Sequence, residues 1–330
     1  MSIIIFRCDA STAIGSGHVM RCLTLANHMK NQGWTCVFAC SPETLKSAPA
    51  LGVSGYEVVA PNILKSCDVM VVDHYGLSAS DETAFRKCAK KIIVIDDLAD
   101  RRHDCDVLVD TTYGRAVGDY QPLVPENAII LTGADYALLR PDFQALRENA
   151  LTRRDAAHGK IKRILITMGG ADPDNVTAKI LDSVRQANLA ITVDVVAGGG
   201  NPHLESLRRQ IKSMGPDIHF HVNTPDMAAL MAQADLAIGA GGTTSWERAC
   251  LGLPTLLIEI ADNQKTIAAN LHAQGAVINL GWHENIAASD IARALQNLFQ
   301  NPAQVMLMSQ KARLICSGEG AARIERFILA

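Results

Sequence analysis

The stretch Ser2-Ile3-Ile4-Ile5-Phe6, followed by Gly15-Ser16-Gly17-His18 and then by Val19-Met20-Arg21-Cys22-Leu23, determines the fold of the N-terminal half. A short apolar run that is interrupted by Arg7-Cys8-Asp9 and then by glycines predicts a buried parallel strand, a tight loop and a helix. His18 then stands at the helix N-terminus, where the helix dipole disfavours the imidazolium form. A general base must be neutral. His18 is therefore a candidate base; alternatively, it only caps the helix or completes a turn.

The same alternation of apolar strands and amphipathic helices continues along almost the whole chain, as in parallel sheets covered by helices on both faces. The first half contains six predicted strands, at residues 3–6, 35–39, 69–72, 92–95, 107–109 and 129–131. The second half contains six more, at residues 164–167, 192–197, 218–222, 236–239, 255–258 and 277–279. We predict an α/β protein with two doubly wound, Rossmann-like domains facing a cleft, whose ligands bind beyond the carboxyl ends of the strands.

A charge-rich segment, residues 147–162, has no strand-like run until Ile161 and is predicted to be the linker. The length of 330 residues suits two domains of roughly 150 residues each. The predicted domains are residues 1–156 and residues 157–318. A C-terminal helix at residues 319–330 could cross back to the first domain.

Composition excludes several classes of protein. The net charge is −3, and no stripe of Lys and Arg interleaved with aromatic residues is present, which argues against nucleic acid as a partner. The nine cysteines form no C-x-x-C pair and suit the core of a protein in a reducing cytosol. The apolar runs are too short for a signal peptide or a membrane span. We expect a cytoplasmic, monomeric protein with a small-molecule substrate and without membrane insertion.

A glycine-rich turn, Gly241-Gly242-Thr243-Thr244-Ser245, follows the strand at 236–239 and precedes a helix. Glycines let backbone amides approach an anion, and the three hydroxyls can cap the helix or donate hydrogen bonds, so the turn is a candidate phosphate cradle. Glu247, in the first helical turn, could reach a pair of ribose hydroxyls. The alternative is an ordinary capped turn, with Glu247 as a favourable first-turn charge.

A second glycine corner, Gly169-Gly170, follows the strand at 164–167 and precedes a helix that is predicted to start near Asp174. Its amides could contact the other side of a diphosphate. Asp172 or Asp174 is expected to cap the helix, and Asp174 is the favoured residue. The loop after the strand at 218–222 is the expected place for recognition of the nucleotide base.

The order of these motifs, together with Gly252-Leu253-Pro254, resembles UDP-sugar enzymes of the GT-B fold, including the N-acetylglucosaminyl transferase that makes lipid II. A closer resemblance is to the UDP-sugar hydrolases of pseudaminic acid biosynthesis. The motifs that carry it are Arg7-Cys8-Asp9-Ala10-Ser11, Gly15-Ser16-Gly17-His18-Val19-Met20-Arg21-Cys22, Val72-Asp73-His74-Tyr75-Gly76, Ile95-Asp96-Asp97-Leu98-Ala99 and Ala261-Asp262-Asn263-Gln264. They extend over nearly the whole chain.

This resemblance implies a GT-B-like fold and hydrolysis of UDP-2,4-diacetamido-2,4,6-trideoxy-β-L-altrose to UDP and the free sugar. It implies that His18 activates water for attack on the anomeric carbon, with inversion and with neither a metal nor a cofactor. It makes Tyr75 the second catalytic candidate and supports a contact of Asn263 with the sugar or phosphates. Asn263 could instead be the N-cap of the helix that follows. The sugar and the catalytic groups are assigned to the N-terminal domain, and UDP to the C-terminal domain.

The residues around His18 have roles of their own in this interpretation. Gly15 and Gly17 shape its loop and are expected to contact substrate. Asp73 ends the strand at 69–72, where it either orients an imidazole or holds the turn. We favour a role in which Asp73 supports the catalytic side chains and does not itself contact the reacting atoms. His74 is expected to be structural. Asp96 and Asp97 also end a strand, and a turn cap is favoured over a metal site or an acid/base pair.

Two other functions remain open. A GT-B glycosyltransferase would use His18 to deprotonate an acceptor hydroxyl in place of water. A non-catalytic nucleotide-sugar sensor would keep Glu247 and the glycine turn but would not need His18 and Tyr75 together.

Overall fold

The computed structural model describes residues 2–11, 14–63 and 65–329 of the chain. These residues form two compact units, one made of residues 1–140 together with 318–330 and the other made of residues 141–317. None of the helices in the described ranges is long and apolar enough to cross a membrane.

The first unit is built on a seven-stranded, wholly parallel sheet with the strand order β3-β2-β1-β4-β5-β6-β7. Its strands are β1 (Ile3–Cys8), β2 (Thr35–Ala39), β3 (Glu57–Val59), β4 (Cys67–Asp73), β5 (Ala89–Ile95), β6 (Val107–Asp110) and β7 (Ile129–Thr132). The helices between them are α1 (Gly17–Asn31), α2 (Thr44–Ser47), α3 (Pro49–Gly52) and α4 (Ala79–Phe85). Because both faces of the sheet are covered, central strands such as β1 are almost wholly buried and apolar.

The second unit has a six-stranded parallel sheet with the strand order β10-β9-β8-β11-β12-β13. Its strands are β8 (Arg163–Thr167), β9 (Thr192–Ala197), β10 (Ile218–Val222), β11 (Leu236–Ala240), β12 (Thr255–Glu259) and β13 (Val277–Trp282). Its helices are α5 (Pro141–Ala157), α6 (Val176–Ala187), α7 (Leu204–Met214), α8 (Met227–Gln233), α9 (Thr244–Cys250), α10 (Lys265–Ala273), α11 (Ala288–Gln300) and α12 (Pro302–Ala312).

These two parallel-sheet units confirm the predicted α/β class. Every predicted strand is present. The sequence missed β3, a three-residue edge strand whose residues are exposed or half-buried. So short a segment carries no alternation of apolar and polar residues that could have been recognised.

The predicted linker is wrong, because α5 covers most of residues 147–162. Its arginines bind main-chain carbonyls at the ends of other helices of the second unit. Arg154 is buried and donates to the carbonyls of Met231 at 2.5 Å and Leu251 at 2.8 Å. Arg147 donates to the carbonyls of Cys250 and Arg313. The arginines whose charge suggested a solvated linker therefore donate hydrogen bonds to the unpaired carbonyls at helix C-termini.

The boundary between the units consequently lies after Arg140, and not after residue 156 as the sequence suggested. The helix α5 belongs with the second unit because its arginines anchor it there.

The last helix, α13 (Gly320–Leu329), belongs to the first unit. Ile324 and Ile328 join the apolar core between the sheet and α1. Glu325 pairs with His28 of α1 at 2.7 Å, and the carbonyl of Phe327 accepts a hydrogen bond from Lys91 at 3.0 Å. The first unit is thus assembled from two segments that are far apart in the chain.

Candidate functional site

Carboxylates cluster at the carboxyl edge of the first sheet. Asp9 follows β1, Asp73 ends β4, Asp96 and Asp97 follow β5, and Asp110 ends β6. These strands are neighbours in the order β1-β4-β5-β6. Since all of them are parallel, their carboxyl ends meet at one edge, where ligands of such sheets bind.

His18 is held at this edge by Asp73. It lies at the second position of α1, is 4% exposed, and its Nδ1 is 2.5 Å from Asp73 Oδ1. An ionised carboxylate can only accept a hydrogen bond, so we assign the proton of the neutral ring to Nδ1. Arg21 Nη2 also lies 3.2 Å from Nδ1, farther away than the carboxylate. Nε2 is then the basic nitrogen, and it has no hydrogen-bond partner among the residues that the structure describes.

Asp73 is kept ionised by Arg21. The carboxylate is completely buried, which by itself raises its pKa, but the Arg21 guanidinium donates to both oxygens, at 2.5 and 2.6 Å. The charge and hydrogen bonds of Arg21, with a smaller contribution from His18, outweigh burial and lower the pKa of Asp73 to about 2. Asp73 is therefore ionised at neutral pH and accepts the Nδ1 proton.

Arg21 has no role in the sequence interpretation, although it lies within a quoted motif. It stands three residues after His18 on α1, and residues with this spacing share a helix face. Its guanidinium also extends to Asp97, with Nη1 3.3 Å from Oδ2. The spacing was the signal that could have identified it.

Tyr75 lies beside His18, as the sequence predicts. The two rings meet edge to face, with centroids 4.4 Å apart and planes at 84°. The Tyr75 hydroxyl donates a long hydrogen bond of 3.4 Å to Asp97 Oδ2. Burial first, and then the negative charge of Asp97, raise the pKa of Tyr75. The hydroxyl therefore keeps its proton and serves as a hydrogen-bond donor.

Two glycines shape the approach to His18. Gly15 has φ +74°, a conformation that favours glycine, and its amide donates to the carbonyl of Ser11 at 2.9 Å. Gly17 is the first residue of α1. Residues 12 and 13 of this loop lie outside the described residues, and contact of either glycine with substrate stays a prediction.

His74 has a structural role here. Its Nδ1 accepts the amide of Gly76 at 2.9 Å, and its Nε2 lies 3.3 Å from Asp9 Oδ2. Asp9 also accepts hydrogen bonds from the Ser41 amide and the Thr44 hydroxyl. Both ring nitrogens of His74 are therefore engaged in holding loops together.

The two aspartates after β5 have different surroundings. Asp96 caps the turn, as its Oδ2 accepts the amides of Leu98 at 3.1 Å and Ala99 at 2.9 Å. Asp97 instead turns its side chain to Arg21 and Tyr75. A turn cap thus describes Asp96 only, and Asp97 belongs to the cluster around His18.

The carboxyl edge of the second sheet is formed by glycine-rich corners instead. They follow three adjacent strands in the order β9-β8-β11, at Gly198-Gly199-Gly200, Gly169-Gly170 and Gly241-Gly242. Gly169 has φ +90°, and a Cβ on Gly198 would lie 2.2 Å from the carbonyl oxygen of Gly170. The first of these corners is not among the predicted ones. Its three consecutive glycines after a strand were the available signal.

The corner after β11 is partly occupied by the protein itself. The Gly241 amide donates to Gln264 Oε1 at 3.2 Å, which corrects its predicted role as a free phosphate-binding amide. The Ser245 hydroxyl accepts a hydrogen bond from Arg248 at 3.0 Å and is buried. Thr243 is exposed, Gly242 and Thr244 are half-buried, and an added Cβ on Gly242 would meet no atom within 4 Å.

Arg248 lies buried directly beneath this corner. Its Nη2 donates to the Ala240 carbonyl at 2.7 Å, and a Cβ on Gly239 would lie 2.4 Å from its Nη1. Gly239 is therefore required by the guanidinium. Burial lowers the pKa of Arg248 to about 10, so it is charged at neutral pH.

The cap of α6 differs from the prediction. Asp172, which has φ +42°, accepts the amides of Val176 at 2.8 Å and Thr177 at 3.0 Å. Asp174 was the favoured cap, but the helix begins later than expected, at Val176. Asp172 therefore binds the first two amides of α6 from three residues before the N-cap position, where Asn175 makes no side-chain cap hydrogen bond.

The remaining predicted contacts lie near the same edge. Glu247 is half-buried in the first turn of α9. Asn263 is exposed in a 3₁₀ turn, and Gln264 stands at the N-cap of α10, so the N-cap alternative for Asn263 is wrong. After β10, Asn223 accepts the Gly199 amide at 2.5 Å. Roles for Glu247 and Asn263 in ligand binding stay predictions.

Comparison with known proteins gives relatives for both halves. Residues 163–325 match the family model described as "Glycosyltransferase family 28 C-terminal domain". The chain is 26% identical over 282 residues to the UDP-2,4-diacetamido-2,4,6-trideoxy-beta-L-altropyranose hydrolase of Campylobacter jejuni, a match that covers 82% of this chain and 97% of that protein.

A second relative is the spore coat polysaccharide biosynthesis protein SpsG of Bacillus subtilis, which is 30% identical over 207 residues, or 61% of this chain. The match spans 58% of that protein's length.

Solved structures resemble the whole chain. The MurG structure from Acinetobacter baumannii superposes with a TM-score of 0.71 and 14% identity, covering 100% of this chain and 99% of that one. At this identity the likeness concerns the fold. The chain therefore has a GT-B fold and is, by sequence, a relative of the UDP-2,4-diacetamido-2,4,6-trideoxy-beta-L-altropyranose hydrolase of Campylobacter jejuni.

Proposed function

We propose that this protein is an enzyme that hydrolyses a UDP-sugar to UDP and the free sugar, with UDP-2,4-diacetamido-2,4,6-trideoxy-β-L-altropyranose as its substrate in pseudaminic acid biosynthesis. The relative from C. jejuni, matched over 97% of its length, supports the substrate. One observation carries the chemistry: His18 Nδ1 is bound to the ionised Asp73, which leaves Nε2 as the base.

In the proposed reaction, His18 Nε2 takes a proton from water while the water oxygen bonds to the anomeric carbon. The bond from that carbon to the diphosphate oxygen breaks, its electron pair leaves with UDP, and the anomeric configuration inverts. Asp73 orients the ring and stabilises the imidazolium that forms. General-base catalysis of this kind contributes about 10²–10⁴-fold. Tyr75 would donate a hydrogen bond to the water or to an acetamido carbonyl.

The glycine corners of the second unit are proposed to bind the leaving diphosphate. Amides at Gly169, Gly170 and Gly242 would meet its developing negative charge, together with the hydroxyls of Thr243 and Thr244. Glu247 would accept hydrogen bonds from the ribose hydroxyls. Asn263 would contact the sugar or the phosphates. UDP is a good leaving group, so no general acid is needed.

Isotopic labelling tests the proposal. The protein is incubated with the UDP-sugar in water enriched in ¹⁸O, without an acceptor. Mass spectrometry should find the label on the anomeric hydroxyl of the sugar and none in UDP, and early proton NMR spectra should show the inverted anomer. Label in UDP would mean attack at phosphorus and would remove His18 from the proposed role.

No proposed step requires a metal ion. Turnover should therefore persist in excess EDTA. Turnover that is lost in EDTA and restored by Mg²⁺ would contradict this part of the proposal. We also propose a cytoplasmic monomer, and sedimentation of the purified protein would test the oligomeric state.

The match to a glycosyltransferase C-terminal domain favours a second candidate, a glycosyltransferase with a UDP-amino-sugar donor. His18 would then deprotonate an acceptor hydroxyl. Release of UDP only after an acceptor alcohol is added would favour the transferase over the hydrolase. Binding of the UDP-sugar without any release of UDP would instead favour a sensor.

A further inference from the structure

Asp97 is held in place from several sides, although nothing in the proposed reaction uses it. Arg115 donates to its main-chain carbonyl at 2.9 Å. The turn that follows it is closed by Asp96, through the amides of Leu98 and Ala99. Ala99 has φ +53°, an uncommon conformation for a residue with a side chain. The turn and its cap do not need the Asp97 carboxylate, so that carboxylate has no structural task in the turn.

The side chain of Asp97 is poorly satisfied compared with that of Asp73. Arg21 gives Asp73 two hydrogen bonds of 2.5 and 2.6 Å, but it approaches Asp97 only once, at 3.3 Å. Tyr75 adds one long contact of 3.4 Å. Asp97 Oδ1 is buried and has no hydrogen-bond partner in the described part of the chain. The side chain of Asp97 is 25% exposed, and that of Asp73 is 0% exposed.

The pKa values of Asp73 and Asp97 differ in the same way as their hydrogen bonding, since the pKa of Asp73 is lowered and that of Asp97 is raised. Burial raises the pKa of Asp97, the negative charges of Asp73 and Asp96 add to the effect, and Arg21 only partly opposes it. A carboxylate that lacks donors gains most from a new one, because an incompletely paired charge in a partly buried position costs free energy.

We propose that Asp97 is a substrate-binding residue whose carboxylate accepts a hydrogen bond from a neutral donor, N–H or O–H, on the sugar. This inference rests on the proposed function, and it names the residue that recognises the sugar. The diacetamido sugar offers two amide N–H groups and a ring hydroxyl, and no cation. Because Oδ1 is buried, the sugar would donate to the accessible part of the carboxylate, where it competes with the long contact of the Tyr75 hydroxyl to Oδ2 and leaves that hydroxyl for water or substrate.

The test separates binding of the sugar from binding of the nucleotide. Calorimetric titrations with the free diacetamido sugar and, separately, with UDP are made on the wild type and on Asp97→Asn, which keeps the shape and removes the charge. The control is Asp100→Asn, a nearby aspartate with a 59% exposed side chain. Asp97→Ser is a second variant, for use where the asparagine variant is unstable.

We expect Asp97→Asn to weaken binding of the free sugar by about tenfold or more, because hydrogen bonds to charged groups are the strong ones. Binding of UDP should stay within about twofold, and Asp100→Asn should resemble the wild type in both titrations. In the hydrolysis assay the loss should appear as a raised KM. A general loss of stability would lower the amount of active enzyme, and hence the apparent kcat, but it would not raise KM.

Unchanged sugar binding in the Asp97 variants would overturn the inference, and so would an equal loss of sugar and UDP binding. The titrations need no turnover, so they test Asp97 even if the wild type fails to hydrolyse the UDP-sugar. That failure would contradict the proposed function alone.

Discussion

The carboxyl edges of the two sheets are equivalent positions in two similar folds, but different kinds of residue form them. The edge of the first sheet presents charged and aromatic side chains, with His18, Asp73 and Asp97 joined through Arg21. The edge of the second presents glycine corners after β9, β8 and β11. Side chains can hold and move a proton, whereas exposed backbone amides can bind an anion. The comparison shows that the strand ends determine where a site forms and the corner residues determine its chemistry.

The strongest test of this difference is His18→Ala. Turnover should fall by about 10²–10⁴-fold, because the variant lacks the proposed general base. UDP affinity should stay within about twofold, because the variant leaves the glycine corners intact. Steady-state kinetics and calorimetry measure the two quantities. The matched control is His28→Ala on the same helix, whose histidine pairs with Glu325.

Near-wild-type turnover in His18→Ala would contradict the proposal that the first edge carries out proton transfer while the second edge binds UDP. A comparable loss in His28→Ala would attribute the effect to helix α1 as a whole.

The second prediction concerns how the ionised carboxylate of Asp73, at the edge of the first sheet, contributes to folding stability at different pH values. The pKa of Asp73 in the folded state is about 2, below its ordinary value of 3.8. At pH values above 3.8, ionised Asp73 therefore stabilises the folded state relative to the unfolded state. This contribution is lost as pH falls from about 4 through 2 and amounts to about 2 kcal/mol in full. The stability advantage of the wild type over Asp73→Asn should narrow in this window. Urea unfolding of both proteins over this pH range measures it.

An advantage that stays constant down to the lowest pH at which both proteins fold would contradict the ionised Asp73. Asp100→Asn should track the wild type at every pH, since its carboxylate is largely exposed.

The third prediction concerns the second edge and has the smallest effect. Gly198→Ala places a Cβ 2.2 Å from the Gly170 carbonyl oxygen, so the corners after β9 and β8 must move apart. UDP affinity should weaken by about tenfold, a typical consequence of overpacking at this scale. Gly200→Ala is the control, because an added Cβ there meets no atom within 4 Å. Calorimetry with UDP measures both variants, and equal affinities would separate these corners from nucleotide binding.

Much of the fold could be predicted because short apolar runs alternate with amphipathic helices along the chain, a pattern typical of parallel sheets covered on both faces. The meeting of His18, Asp73 and Tyr75 was predictable as well. All three follow or end neighbouring strands, and parallel topology brings such positions together.

The errors share a physical cause, which is that composition does not show where a polar group will find its partner. Arg147 and Arg154 have the composition of solvated linker charges, but their partners include carbonyls more than 70 residues away in the chain. Asp172 and Asp174 are the same residue type, and only the path of the loop before α6 makes Asp172 the one that accepts amides of the helix. The spacing of Arg21 from His18 indicates only that they share a helix face, and the contacts of Arg21 with Asp73 and Asp97 depend on two strands as well.

Helix α13 also has a consequence for the order in which the molecule folds. Ribosomes synthesise residues 141–317 before residues 318–329, so the whole second unit emerges while the first still lacks Ile324 and Ile328 of its core. Domains usually complete their folding in the order of synthesis. Here the unit that begins the chain must wait for the one that follows it. His18 therefore lies in a unit whose apolar core is completed only after the whole second unit has been synthesised.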